Sequence, residues 1–184
     1  LHFDRAEYSA RIAKATTAME ATGHDAMLLF AQESMYWLSG YDSFGYCFFQ
    51  CLVLRADGSM TLLTRAPDLR QAQHTSILDD VRVWVDREGH HPATQLRELL
   101  DDLGLRGKRL GIEYDTHGLT AANGRAVDAT LAGFASLTDP SLLIPRLRAV
   151  KSPAEIACAR RAAELADAAL AAAEATIGPG ADEA

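Results

Sequence analysis

The stretch Tyr46–Thr64, YCFFQCLVLRADGSMTLLT, decides the fold class. Its first half, Tyr46–Leu54, is an aromatic and apolar run that reads as the strongest strand of the chain. Asp57-Gly58 is a hairpin signal, and Met60–Thr64 is the returning strand. On both sides of this hairpin, helices and strands alternate. Towards the N-terminus, Asp4 can cap a helix with Tyr8, Ile12, Ala15 and Met19 on one face, at steps of four, three and four, which Gly23 ends. Asp25–Phe30 reads as a short buried strand, and Ser34–Ser39 as one or two helical turns before Gly40. Towards the C-terminus, Pro67–His74 reads as a helix. Val81, Val83 and Val85, alternating with Arg82 and Trp84, read as a strand. A helix over Pro92–Leu103 has Leu96, Leu99, Leu100 and Leu103 on one side. Leu110–Tyr114 is a further strand, Leu119–Leu131 a helix, and Phe134–Thr138 a last short strand. One hairpin inside a strand–helix alternation predicts an α/β fold, a mixed β-sheet flanked by helices on both faces.

Beyond Thr138, Pro140 and Pro145 mark a crossing segment, and Leu147–Ala184 then reads as a well-marked helix. Ser152 sits at its N-cap, Pro153 fits the first helical position, and Glu155 completes a capping box. Gly178-Pro179-Gly180 stops it. Such a helix is about 36 Å long at about 1.5 Å per residue. Its small apolar arc of Cys158, Ala162, Leu165, Ala169 and Ala172 reads as a buried packing face that needs a partner surface. The chain is therefore expected to be part of something larger. Residues 1–140 would form one domain, 141–151 a junction, and 152–184 the first helix and turn of a second domain.

Bulk properties exclude several function classes. The net charge is −7, with no basic stripe to neutralise phosphates, so a nucleic-acid partner is not expected. No apolar run approaches the roughly 20 residues of a membrane span. Three cysteines suit a reducing, cytoplasmic setting. Cys47 and Cys51, four apart on a strand, would lie about 13 Å apart, too far for a disulfide. With Cys158 they read as small buried hydrophobes rather than metal ligands.

Candidate chemistry begins with the aromatics. Tyr36, Trp37, Tyr41, Phe44, Tyr46, Phe48 and Phe49 are seven of the thirteen aromatic residues, all within fourteen positions. Gly40–Gly45, GYDSFG, is a glycine-bracketed loop expected to display Tyr41 and Phe44, and loops carry binding residues more often than strands do. On a strand Phe48 would face away from Phe49, so one would be core and the other at an interface. The histidines His74, His90, His91 and His117 have no HxxxH spacing and read as solvated or capping residues. Asp79-Asp80 and the pair Glu113 and Asp115 read as solvated charges at strand ends, without the further acids that a two-metal site would need. No GxSxG elbow and no glycine-rich phosphate loop is present. The chain shows no catalytic constellation of its own.

Several segments together resemble the creatinase / Xaa-Pro peptidase family, the two-domain pita-bread metallohydrolases. These are Phe3–Tyr8 with Arg11, Gly23–Leu29, Tyr36–Tyr41 and above all Leu147–Ile156. Arg160, Ala162, Ile177–Gly180 and Glu183 extend the last of them. The resemblance implies an N-terminal domain of ribonuclease-H-like topology, followed by a catalytic domain. In the family's peptidases two Asp, one His and two Glu of that second domain hold a pair of divalent metals (Mn, Co or Zn). Those positions would fall after Ala184, so this chain is expected to hold no cofactor and no catalytic residue. The resemblance further implies a homodimer through the N-terminal domain. A loop would enter the partner subunit's site to help bind a small-molecule or peptide substrate. The matching stretch is Ser43–Tyr46, which nominates Phe44, Tyr46 and Tyr41 as substrate-binding. Tyr46 stands where the resemblance leads one to expect an arginine, and a phenol carries no fixed charge. Two other readings compete. One is a stand-alone binding or scaffold domain without a catalytic parent, its last helix packed on its own sheet or on a second copy. The other is a ribonuclease-H-like nuclease, disfavoured by its missing acids and by the charge sign.

Overall fold

The computed structural model describes residues 1–45 and 47–180; Tyr46 and residues 181–184 lie outside the described set. It divides into two compact units, one of residues 1–148 and one beginning at Ala149. In the first unit six strands form a single sheet in the order β4-β3-β2-β1-β5-β6. They are β1 (Ala26–Leu29), β2 (Cys51–Arg55), β3 (Met60–Thr64), β4 (Asp80–Val83), β5 (Arg109–Ile112) and β6 (Ser136–Thr138). The β2–β3 hairpin and the β1–β2 pair are antiparallel, while β1–β5, β3–β4 and β5–β6 are parallel. The sheet is thus mixed, as the hairpin predicted. Gly58 closes that hairpin with φ +84°, a value glycine adopts without strain.

Alternation along the strands divides the core in two. Ala26 and Leu28 of β1, Cys51 and Val53 of β2 and Leu63 of β3 face one side. There they pack against Leu96, Leu99 and Leu100 of α4 (Pro92–Asp102) and Val127 and Leu131 of α5 (Ala121–Leu131). Met27 and Leu29, Leu52 and Leu54, and Leu62 face the other side. That side is covered by α1 (Arg5–Ala21), α2 (Gln32–Ser39), α3 (Leu69–Thr75) and α6 (Leu143–Ala149). Burial on both faces explains why β1 and β2 read as continuous apolar runs.

On α1, Tyr8, Ala15 and Met19 are buried as expected, and Asp4 caps the helix by accepting from the Glu7 N–H. Arg11 joins them at 2% exposure. Its Nη1 donates to the Trp37 carbonyl at 3.0 Å, its Nε to Glu7 Oε1 at 3.1 Å, and its guanidinium lies 4.1 Å from the Phe3 ring centre. Lysine keeps the charge but lacks the planar fork and the flat stacking face. Arg11→Lys is therefore expected to lower stability by about 1–2 kcal/mol, read as a shift in denaturation midpoint. An unshifted midpoint would show that charge alone suffices.

Three expectations need correction. The strand expected over Tyr46–Leu54 begins only at Cys51, because Cys47 to Gln50 form a turn and an irregular approach. The segment around Pro145 is not mere crossing chain but α6, whose first turn tolerates a residue without an N–H. Of the cysteines only Cys51 is buried, while Cys47 and Cys158 are exposed.

In the second unit α7 (Pro153–Thr176) carries the anticipated capping box between Ser152 and Glu155. None of its residues is buried, so the arc of Cys158, Ala162, Leu165, Ala169 and Ala172, expected to be a packed face, is open. Among the described residues no helix is long and apolar enough to cross a membrane.

Candidate functional site

The strand directions bring the C-terminal ends of β1, β3, β4 and β5 and the start of β2 to one edge of the sheet. The described loop residues 40–45 and 47–50 lie at this end of the sheet. The loop's base is a buried polar network. The Tyr41 hydroxyl donates to Gln50 Oε1 at 2.7 Å, and Gln50 Nε2 donates to the Gly45 carbonyl at 2.9 Å and to Ser43 Oγ at 3.3 Å. Gln32 Nε2, from the first turn of α2, donates to the Ser43 carbonyl. The Gly45 N–H donates to Ser43 Oγ at 2.9 Å. With Gln50 at 4% and Tyr41 at 2% exposure, these bonds are shielded from water and fix the loop's path.

The sequence nominees part company here. Phe44, at the loop's crest, is 85% exposed. Tyr41, expected on display beside it, is instead part of the buried base, and burial raises its phenol pKa. Tyr46 lies outside the described residues. Phe48 and Phe49 differ in burial, although neither lies on a strand. Phe49 is core, packed edge-on against Phe30 with ring centres 5.5 Å apart, while Phe48 remains 44% exposed.

Phe48 has a neighbour that sequence spacing did not reveal. The Arg65 guanidinium, just past β3, lies 3.3 Å from the Phe48 ring centre. Its Nε and Nη2 both hold Asp68 Oδ2 at 2.9 Å. A guanidinium paired with Asp68 therefore covers one face of the partly exposed Phe48 ring. The only sequence signal available was an arginine immediately after a predicted strand that pairs with the loop's own strand.

The acid pair also separates. Asp79 and Asp80 lie at the opposite end of β4, where Asp80 is held by Thr61 and Arg82. Glu113 is not the solvated strand-end charge it was expected to be: it is 1% exposed. Its Oε2 accepts the N–H groups of Phe30 at 3.1 Å and Ala31 at 3.0 Å, and its Oε1 accepts the Ser34 hydroxyl at 2.6 Å. Loss of water pushes its pKa up to about 7, against the pull of those three donors and of Arg148. Two clefts share Gln32, Glu33 and Arg148, and Glu113 lines neither. One of about 210 Å³ lies between Tyr36, Asp42, Ser43 and Arg148, and one of about 470 Å³ between Glu33, Asp115, His117 and Arg148. A larger cleft of about 680 Å³ runs between α1 and α6 at Ala18, Leu142 and Leu143, away from the aromatic loop.

Of the histidines, His91 caps α4 by accepting from the Ala93 N–H at 3.1 Å. His24 is buried, bridging Thr22 and Thr138 at 2.7 Å each, and its burial lowers its pKa. No three His, Cys, Asp or Glu side chains among the described residues converge as a metal ligand set. The residues in hand therefore do not fit the divalent pair that the resemblance implies for the longer protein. The edge carries an exposed ring, Phe44, above a base of buried hydrogen bonds, and a guanidinium, Arg65, against Phe48.

Comparison with known proteins agrees with this architecture. A sequence profile described as the Creatinase/Prolidase N-terminal domain matches residues 11–150. The chain is 29% identical over 172 residues to an ectoine hydrolase of Halomonas elongata, covering 90% of this chain and 43% of that protein. It superposes with a TM-score of 0.73 on an Xaa-Pro dipeptidase from Bacillus anthracis at 20% identity, covering 92% of this chain and 44% of the other. The N-terminal domain of the cytoplasmic peptidase PepQ from Mycobacterium tuberculosis superposes with a TM-score of 0.58 at 25% identity, over 75% of this chain and 98% of that one. The chain thus spans under half the length of the curated relative it matches.

Proposed function

The chain belongs to the Creatinase/Prolidase N-terminal domain family, and from that premise we propose that it is the non-catalytic support and gate of a longer hydrolase. In this reading two copies pair through this domain in the cytoplasm. The loop of each brings Phe44 to the mouth of the other copy's active site. A following domain, with a pair of divalent metal ions, would hydrolyse the C–N bond of a small amide or peptide. The names of the relatives support that substrate class, one being an ectoine hydrolase and another an Xaa-Pro dipeptidase.

The observation that carries the reading is Phe44, 85% exposed above a base of buried hydrogen bonds. A ring held out by a pinned backbone can bury its area on a ligand or partner with little further ordering. Arg65, stacked on Phe48 and paired with Asp68, gives this loop a guanidinium face that a tyrosine at position 46 does not carry.

Phe44→Ala in the longer protein is expected to lower kcat/KM for amide hydrolysis about 10-fold, the scale of one lost aromatic contact. Stability should change by less than about 0.5 kcal/mol, because the ring is exposed. An unchanged kcat/KM rejects the gating role. A monomeric mass in solution rejects the pairing.

A further inference from the structure

Helix α2 begins without a cap of its own: its N-cap residue, Ala31, offers no side-chain acceptor. The first N–H groups of a helix have no partner within it and need one from elsewhere. Glu113, from the end of β5, fastens this corner instead, taking the N–H groups of the N-cap residue Ala31 and of Phe30 before it on one oxygen and the Ser34 hydroxyl on the other. One residue further along, Gln32 extends its amide to the Ser43 carbonyl, directly before Phe44. At the other end of α2, Ser39 Oγ accepts the Tyr41 N–H at 3.1 Å, and the Ser39 carbonyl accepts the Ile77 N–H at 2.9 Å. A short physical path therefore runs from the Glu113 carboxyl through Ala31 and Gln32 to the crest of the aromatic loop.

We infer that Glu113 is the latch of that loop: as a neutral carboxylic acid it holds the β1–α2 corner and the loop closed, and on ionisation it eases their opening.

The direction follows from burial. An ionised carboxylate at 1% exposure lacks the hydration it would regain if the corner opened. Opening is therefore favoured when the group is charged. As a neutral acid Glu113 keeps Oε2 for the two N–H groups and donates from Oε1 to Ser34, whose own hydroxyl hydrogen then turns elsewhere. No side chain has to move. The surrounding charges do not reverse this. Arg148, at the end of α6, draws the carboxyl back towards ionisation, though less than burial opposes it. The Cys51 thiol on β2 is kept protonated by its own burial and by Glu113. The turn after β1 offers the Phe30 and Ala31 N–H groups and α2 the neutral Ser34, while Glu33, Asp115 and His117 line the neighbouring cleft with Arg148. A pKa near 7 puts the change within the physiological range. The inference does not depend on what the loop touches, so its failure and that of the gating role are separable.

Hydrogen exchange of the chain, corrected for the intrinsic pH dependence of exchange, tests it. Protection of the Phe30 and Ala31 amides and of the amides between Tyr41 and Gly45 is expected to fall about 100-fold between pH 5 and pH 8. Glu113→Gln keeps the shape and both kinds of hydrogen bond but cannot ionise, so its protection should be flat over that range. Ser34→Ala removes a donor that favours the ionised form, and should move the midpoint of the wild-type change to higher pH. Flat protection in the unaltered chain overturns the latch. So does an undiminished pH dependence in Glu113→Gln or, should that variant fail to fold, an unmoved midpoint in Ser34→Ala.

Discussion

Gly118→Ala lowers the stability of the residue 1–148 unit by about 3 kcal/mol or more, the largest effect expected of any single methyl added to this chain. Gly118 lies in the turn between β5 and α5, opposite the end of β1. A β-carbon there would sit 1.9 Å from the Phe30 carbonyl oxygen and 3.0 Å from its carbonyl carbon. Both atoms are backbone, so no rotamer change relieves the contact. Either the turn retreats or the end of β1 is pushed aside. Displacing Phe30 also strains its N–H bond to Glu113 and its edge-on packing with Phe49. Against a typical domain stability of about 5–15 kcal/mol, the loss is a large share. Chemical denaturation of the two proteins measures it. A midpoint shift equivalent to less than about 1 kcal/mol would mean that the close approach of Gly118 to Phe30 is not required for folding.

The second large effect appears as a dependence on pH. Glu113 has its pKa raised in the fold from 4.5 to about 7. A group raised in this way binds its proton more tightly when folded. Its stabilising contribution is complete below pH 4.5, declines as pH rises, and is lost once pH passes about 7. The gap between the two values corresponds to about 3 kcal/mol. His24 works the other way: burial lowers its pKa, so its contribution is present above its ordinary 6.5 and lost as pH falls through the lower folded value. Asp25 and Asp57 are held low by hydrogen bonds, so their contributions are complete above the ordinary carboxylate range and are lost only as pH falls below it. The Glu113→Gln variant isolates the one group. The stability of the unaltered chain minus that of Glu113→Gln should fall by about 3 kcal/mol from pH 4.5 to pH 7.5. Parallel curves for the two proteins would show that burial is not what sets this carboxyl.

Local pattern made most of the fold legible. Two-faced burial wrote β1 and β2 as apolar runs, the Asp57-Gly58 signal fixed the hairpin, and Ser152 with Glu155 announced α7. What escaped were features settled by distant partners. The apolar run before Cys51 looks like strand, yet the Phe48 N–H turns back to the Gly45 carbonyl and the Phe49 carbonyl accepts from Trp84 Nε1, 35 residues on. Tyr41 and Phe44 share one short loop, and only the network at Gln50 decides which of them is buried. Glu113 looked solvated because its partners, Phe30, Ala31 and Ser34, precede it by 79 to 83 residues. Arg65 is linked to Phe48 only once β2 and β3 have paired. In each case the chain carries the chemistry at one place and the reason for it at another.

The strand order also sets a timetable for the chain as it is made. β1, already made, can pair with β2 as soon as Arg55 has been synthesised, and β3 can close the hairpin once Thr64 follows the four-residue connection. The other edge of β1 must wait for β5, since Ala26 pairs with Leu110, 84 residues downstream. At roughly 5–20 residues per second, that edge stays open on the ribosome for about 4–17 s. During the wait Ala26, Met27, Leu28 and Leu29 present an apolar strand with unpaired N–H and C=O groups, the kind of edge that recruits other chains. The antiparallel hairpin, early and local, is the part of the sheet able to shelter the other edge of β1 until synthesis delivers its last neighbour.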